Sequence, residues 1–172
     1  MRILRDLLFL GLFLSFFLSS LLAQNLILNP SFEQFKKCPK MLDDPKIRLG
    51  KEVKVIKGTP DLFHSCNAEL APQLNPLGRQ IPADGETYVG MTLTSDSRNG
   101  ECAQRDFIEL QLKEPLVAGE KYLFSIKTSL ADSSGYFTDQ IGVHFYSRKW
   151  SKKQSVRSLL GKASISNLAD TF

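Results

Sequence analysis

The segment GTPDLFHSCN, from Gly58 to Asn67, places Asp61, His64 and Cys66 within ten residues. Those types can do nucleophilic chemistry: a cysteine thiolate attacks, a histidine takes its proton, and a carboxylate orients the imidazole. They can also supply part of a metal site. Both uses need a free sulfur, so the redox state of Cys66 decides between chemistry and architecture.

The start of the chain bears on that state. MRILRDLLFLGLFLSFFLSSLLA puts Arg2 and Arg5 ahead of an apolar run from Leu7 to about Leu22, closed by the small residue Ala23. This layout is that of a secretory signal peptide over 1–23, with cleavage after Ala23. A retained anchor is the competing reading, but the run is shorter than the ~20 apolar residues a spanning helix prefers. Export exposes Cys38, Cys66 and Cys102 to oxidation, and three cysteines allow one intramolecular bridge with one thiol left over. In that setting Cys66 reads as a bridged sulfur, and Asp61 and His64 read as loop residues. No cysteine or histidine pair has zinc spacing.

Other chemistry is thinly represented. There is no Gly-x-Ser-x-Gly elbow, phosphate-binding glycine loop or His-Glu-x-x-His helix. His144 falls on the polar side of an alternating stretch. Glu33, Asp61, Asp132 and Asp139 are carboxylates that a glycosidase could pair, although chance supplies such pairs easily. Glu33 and Asp139 are also hard oxygen donors suited to a structural calcium. Without the first 23 residues the chain has twenty basic and seventeen acidic side chains, a net +3. The densest basic run, SRKWSKKQSVR, holds one aromatic, Trp150. So small and dispersed an excess argues against nucleic acid as a partner.

The elements that must position these residues read as strands and turns. Residues 122–130, YLFSIKTSL, alternate Tyr122, Phe124, Ile126, Thr128 and Leu130 with Ser125, Lys127 and Ser129. A period of two marks a half-buried strand. The same pattern recurs in 107–113, with Ile108, Leu110 and Leu112 inward, and in 140–146, with Ile141, Val143 and Phe145 inward. Shorter candidates are 87–93, with Val89, Met91 and Leu93 together, and 52–57. Turn signals separate them at 83–86, 115–119 and 132–135. Only 155–163 has a helical tendency. The pattern predicts one all-β domain over 24–172, an antiparallel sandwich or barrel.

Five ordered blocks resemble a known family: NLILNPSFEQFKKCP, GTPDLFHSC, GETYVGM, LKEPLVAGEKYLFSI and SLADSSGYFTDQIGVHF, spanning Asn25 to about Phe145. They are similar to the galactose-binding-like jelly-roll domain, an architecture of carbohydrate-binding modules. The closer likeness is to the form found in exported bacterial surface proteins that carry an OmpA-like peptidoglycan-binding domain. The resemblance implies an antiparallel jelly-roll β-sandwich, with Phe32 as a core anchor, Pro30 at an edge and Gly119 turning into the 122–130 strand. It pairs Cys38 with Cys66 and leaves Cys102 over. It implies further strands beyond SISNLADTF, so the sandwich over 24–172 is expected to lack its last strands. The family's tryptophan ahead of GTPD is absent, since VKVIK stands there.

The function implied is that of an exported, non-catalytic binding or scaffold module in the periplasm, outer membrane or cell surface of a Gram-negative bacterium. Its partners would be glycan or envelope proteins. Asp132, Tyr136 and Trp150 are the candidate ligand residues, because sugars stack on rings and hydrogen-bond to carboxylates. The alternatives are a purely structural N-terminal piece of an OmpA-like outer-membrane protein, and a carboxylate-based glycoside hydrolase.

Overall fold

The computed structural model describes residues 24–50, 52–93, 105–137 and 141–147, and the backbone of 165–166. The expected leader at 1–23, Cys102, Asp139, Trp150 and the 155–163 segment lie outside the described residues.

Among those residues the regular structure is strand, with one short 3-10 turn at Ala68–Leu70 and no α-helix. The strands are β1 (Val53–Lys57), β2 (Asp61–Phe63), β3 (Tyr88–Gly90), β4 (Phe107–Leu110), β5 (Gly142–Val143) and β6 (Ile165–Ser166). They form three antiparallel pairs, β1–β4, β2–β3 and β5–β6. The all-β class and the antiparallel sense are therefore as the alternation predicts.

The first pair shows why alternation is informative. Val53 faces Leu110, Lys54 faces Glu109 and Val55 faces Ile108, so the apolar residues share one side and the charges the other. Lys54 Nζ lies 3.5 Å from Glu109 Oε2, an ion-pair contact that lacks hydrogen-bond geometry. The register shifts between Val55 and Lys57, a bulge that bends the strand toward its turn. Beyond β4 the chain changes partner at Gln111: its N–H donates to the Glu52 carbonyl at 2.9 Å, and its carbonyl accepts from Leu28 N–H at 2.9 Å. An isolated bridge between Ile27 and Leu112 continues that contact. The NLILN opening is thereby tied to the sheet.

The core sits on this side. Leu49, Val53 and Leu62 are buried together, with Phe32, Phe35, Ile47, Val55, Val89, Ile108 and Leu110 packed against them. Phe32 is a core residue as expected, and it holds a positive φ of 62°, which a bulky residue adopts only where its surroundings impose it. Pro30 is exposed. Phe63 is fully buried and its ring stacks on Tyr88 at 4.7 Å. A Cβ on Gly90 would press on Phe63 Cε2, so glycine there leaves room for the ring.

Three expected strands are corrected. Residues 122–130 form no strand, and Tyr122, Leu123, Ile126 and Leu130 are exposed. Alternation makes a segment able to pair, but a strand needs a neighbour to supply its ladder hydrogen bonds; here Phe124 meets Phe145 edge-on, with centroids 6.2 Å apart. The 140–146 strand shrinks to Gly142–Val143, paired with β6, and Phe145 is exposed rather than inward. The 87–93 strand shrinks to Tyr88–Gly90, and Leu93 is exposed.

Candidate functional site

The GTPDLFHSCN segment is held at both ends. Cys66 is bonded to Cys38, with the two Cα atoms 6.0 Å apart across 28 residues of sequence. Closing a loop of that size stabilises by about 3–4 kcal/mol through the unfolded chain. Asn67 locks the neighbouring turn. Its side-chain oxygen accepts Glu69 N–H at 3.0 Å, and its amide nitrogen donates to the Pro39 carbonyl at 3.0 Å. The two strands of chain joined by the disulfide are thus also joined by hydrogen bonds.

His64 is bound into this frame. Its Nδ1 accepts the Cys66 backbone N–H at 2.9 Å, so the neutral ring carries its proton on Nε2. Nε2 lies 3.7 Å from Glu86 Oε2, and the ring meets Phe35 edge-on with centroids 4.9 Å apart. A nucleophilic pair would need the imidazole on the thiol. Here the sulfur is in a disulfide and the imidazole is on the amide, which leaves no thiolate to activate.

Asp61 stands in different company. The turn between β1 and β2 holds Gly58 at φ +84°, and a Cβ there would overlap the Asp106 carboxylate. Asp106 is buried at 5% exposure, and both its oxygens accept backbone amides: Thr59 N–H at 2.8 Å and Thr92 N–H at 2.7 Å. Thr59 in turn donates its hydroxyl to Asp43 Oδ1 at 2.9 Å. Asp43 donates its N–H to Asp61 Oδ1 at 2.7 Å. The chain of contacts ties the 41–46 turn, the β1–β2 turn, the end of β3 and the start of β4 together.

Burial, first, pushes the Asp61 carboxyl up to about 6 from the ordinary 3.8; the Asp43 N–H opposes this, and the nearby Asp43 and Asp106 carboxylates add to it. Asp43, Thr59 and Asp106 were not among the residues singled out in the sequence. Asp106 lies 47 residues from Thr59, and no local pattern joins them.

The remaining candidates lie elsewhere. Glu33 Oε1 accepts Glu86 N–H at 2.8 Å and packs under Gly85, whose φ is +68°. That contact fixes the NPSFE opening against the turn before β3. Asp132 Oδ2 accepts Arg79 N–H at 2.9 Å, and Ser133 N–H donates to the Leu77 carbonyl at 3.2 Å, so the DSSG turn docks on the PLGR turn. Tyr136 is exposed nearby in sequence, with its carbonyl accepting Ser134 Oγ at 2.7 Å. His144 stacks on Tyr146 at 5.9 Å. The Tyr146 hydroxyl is pushed up to about 12 by burial, then by the charge of Glu109 and a hydrogen bond to it. Among the described residues no group of three acids, cysteines or histidines could hold a metal ion, and no helix is long and apolar enough to cross a membrane.

No protein-family model matches the chain, and neither the curated proteins nor the solved structures contain a match.

Proposed function

We propose that the chain is an exported, non-catalytic module of a bacterial envelope, built as a jelly-roll sandwich and acting by binding a polypeptide partner. One observation carries the reading: residues 122–137 concentrate exposed apolar side chains, with Leu123 at 93%, Phe137 at 82% and Ile126 at 60%. Apolar side chains gathered on a surface mark a place where another molecule sits. Lys127 and Asp132 are the charged residues of the segment and cancel, so the fitting occupant is an apolar strand or face. The Cys38–Cys66 bridge supports export, because disulfides persist in oxidising compartments.

Glycan binding is the second reading. The exposed Tyr136 ring beside the docked Asp132 turn favours it. A photo-crosslinking residue at Leu123 of the exported chain, with purified cell-wall polysaccharide assayed in parallel, separates the two. A protein adduct that is lost in Ile126→Lys supports the polypeptide reading. Polysaccharide binding indifferent to Ile126→Lys, with no such adduct, sinks it in favour of the glycan.

A further inference from the structure

Residues 122–130 have the alternation of a strand and lack only a neighbour. We propose that this segment pairs antiparallel with the same segment of a second copy of the chain, about a twofold axis at Ile126. The inference rests on the polypeptide-partner reading and names that partner.

The backbone is available for pairing. The chain runs from Glu120 to Ala131 without turn or bend, between the turns at 118–119 and 132–133. Among the described residues no hydrogen bond reaches a backbone N–H or carbonyl of 122–130. Those groups are open to an added strand, as at the sheet edges that capture extended chains. The side chains are available too, since Tyr122, Leu123, Ile126 and Leu130 are all exposed.

The register follows from the residues. Directly opposite residues of an antiparallel pair lie on the same face, so the apolar set meets itself only when even positions face even positions. Centred on Ile126, all nine residues pair: Tyr122 with Leu130, Phe124 with Thr128, Ile126 with its own copy, Leu123 with Ser129 and Ser125 with Lys127. Slipping by two residues is worse in either direction. One slip sets Lys127 against Lys127, and like charges directly opposite destabilise. The other sets Lys127 against Leu123 and Glu120 against Leu130. The segment is thus its own complement in one register, with no lysine facing a lysine. A self-complementary patch on a twofold axis is what a closed dimer requires.

Sedimentation of the full oxidised chain over a range of concentrations tests the pairing, with the mass expected to rise from one chain to two. Ile126→Lys sets two lysines against each other on the axis and is expected to weaken association about tenfold or more. Ser125→Glu places a carboxylate opposite Lys127 of the second copy, twice per dimer, and is expected to tighten it about three- to tenfold. In a Cys102→Ser chain, Ile126→Cys is expected to give a disulfide-linked dimer. Leu123→Cys is expected to give none, because its two copies stand roughly 20 Å apart across the axis. Weakened association in Ser125→Glu, or equal cross-linking at 123 and 126, overturns the pairing. So does a chain that stays monomeric at every concentration. In that last case a photo-adduct at Leu123 with a different polypeptide leaves the broader reading standing, and no adduct at all removes both.

Discussion

Residues 107–113 and 122–130 carry the same alternation of apolar and polar side chains, and they end in opposite circumstances. In the first, β4 lies against β1 and then against the NLILN opening, and Ile108 and Leu110 are packed on the core. In the second, no ladder forms and Leu123 is almost wholly exposed. The difference lies in partners. Alternation states which side of a strand is apolar, whereas a neighbour with free N–H and carbonyl groups makes it a strand. The stapled half of the molecule supplies that neighbour from within, with long-range clamps such as Cys38–Cys66 and Asp106–Thr59 bringing distant segments together.

The comparison breaks most readily at the core. Phe63→Ala removes a fully buried ring that stacks on Tyr88 and is expected to destabilise by about 3–5 kcal/mol in denaturant unfolding. Comparable loss from a truncation in 122–130 would erase the distinction between the two regions. Replacing Cys38 and Cys66 together by serine comes next, with an expected loss of about 3 kcal/mol. Two free thiols at these positions in the exported chain would count against the bridge altogether.

How far this arrangement is legible in the sequence depends on range. The β1 and β4 segments and the inward pair Ile108 and Leu110 follow from alternation, because that is local. The fate of 122–130 is set by what lies beside it, which no local pattern contains. The Cys38–Cys66 pairing came through resemblance, and the structure forms that bridge. The Asp106–Thr59 contact was illegible: an aspartate ahead of a strand is unremarkable, and only the fold brings Asp106 to a threonine 47 residues away. His64 drew attention as chemistry through its neighbours in sequence, yet its bond to the Cys66 amide is a loop contact.

Asp61 sharpens the comparison within the stapled half, because burial there holds a carboxyl well above its ordinary value, with the nearby Asp43 and Asp106 carboxylates adding to the shift. Its folded carboxyl sits near 6 and its unfolded one near 3.8. Below the unfolded value both states are protonated and its contribution is fully present. As pH rises through the folded value, the folded state gives up its proton and the contribution is lost. The whole shift corresponds to a ceiling of about 3 kcal/mol, and partial exposure to solvent reduces this to about 1–2 kcal/mol. Asp61→Asn is therefore expected to flatten the stability profile between about pH 4 and pH 7. An unchanged slope in urea unfolding across that window would place the titrating group elsewhere.

The smallest expected effect is the most telling for function. Leu123→Ala deletes three carbons that the isolated chain leaves in water, so its unfolding free energy should move by less than about 0.5 kcal/mol. Ile126→Ala should behave similarly, at the low end of what partial exposure allows. If 122–137 is a surface kept apolar for a partner, the same substitutions should weaken complex formation by much more than they weaken the fold. An apolar contact buried only in a complex contributes only there. A loss of chain stability as large as that at Phe63 would mean the segment is packed in solution, and the two halves of the molecule would then differ in degree alone.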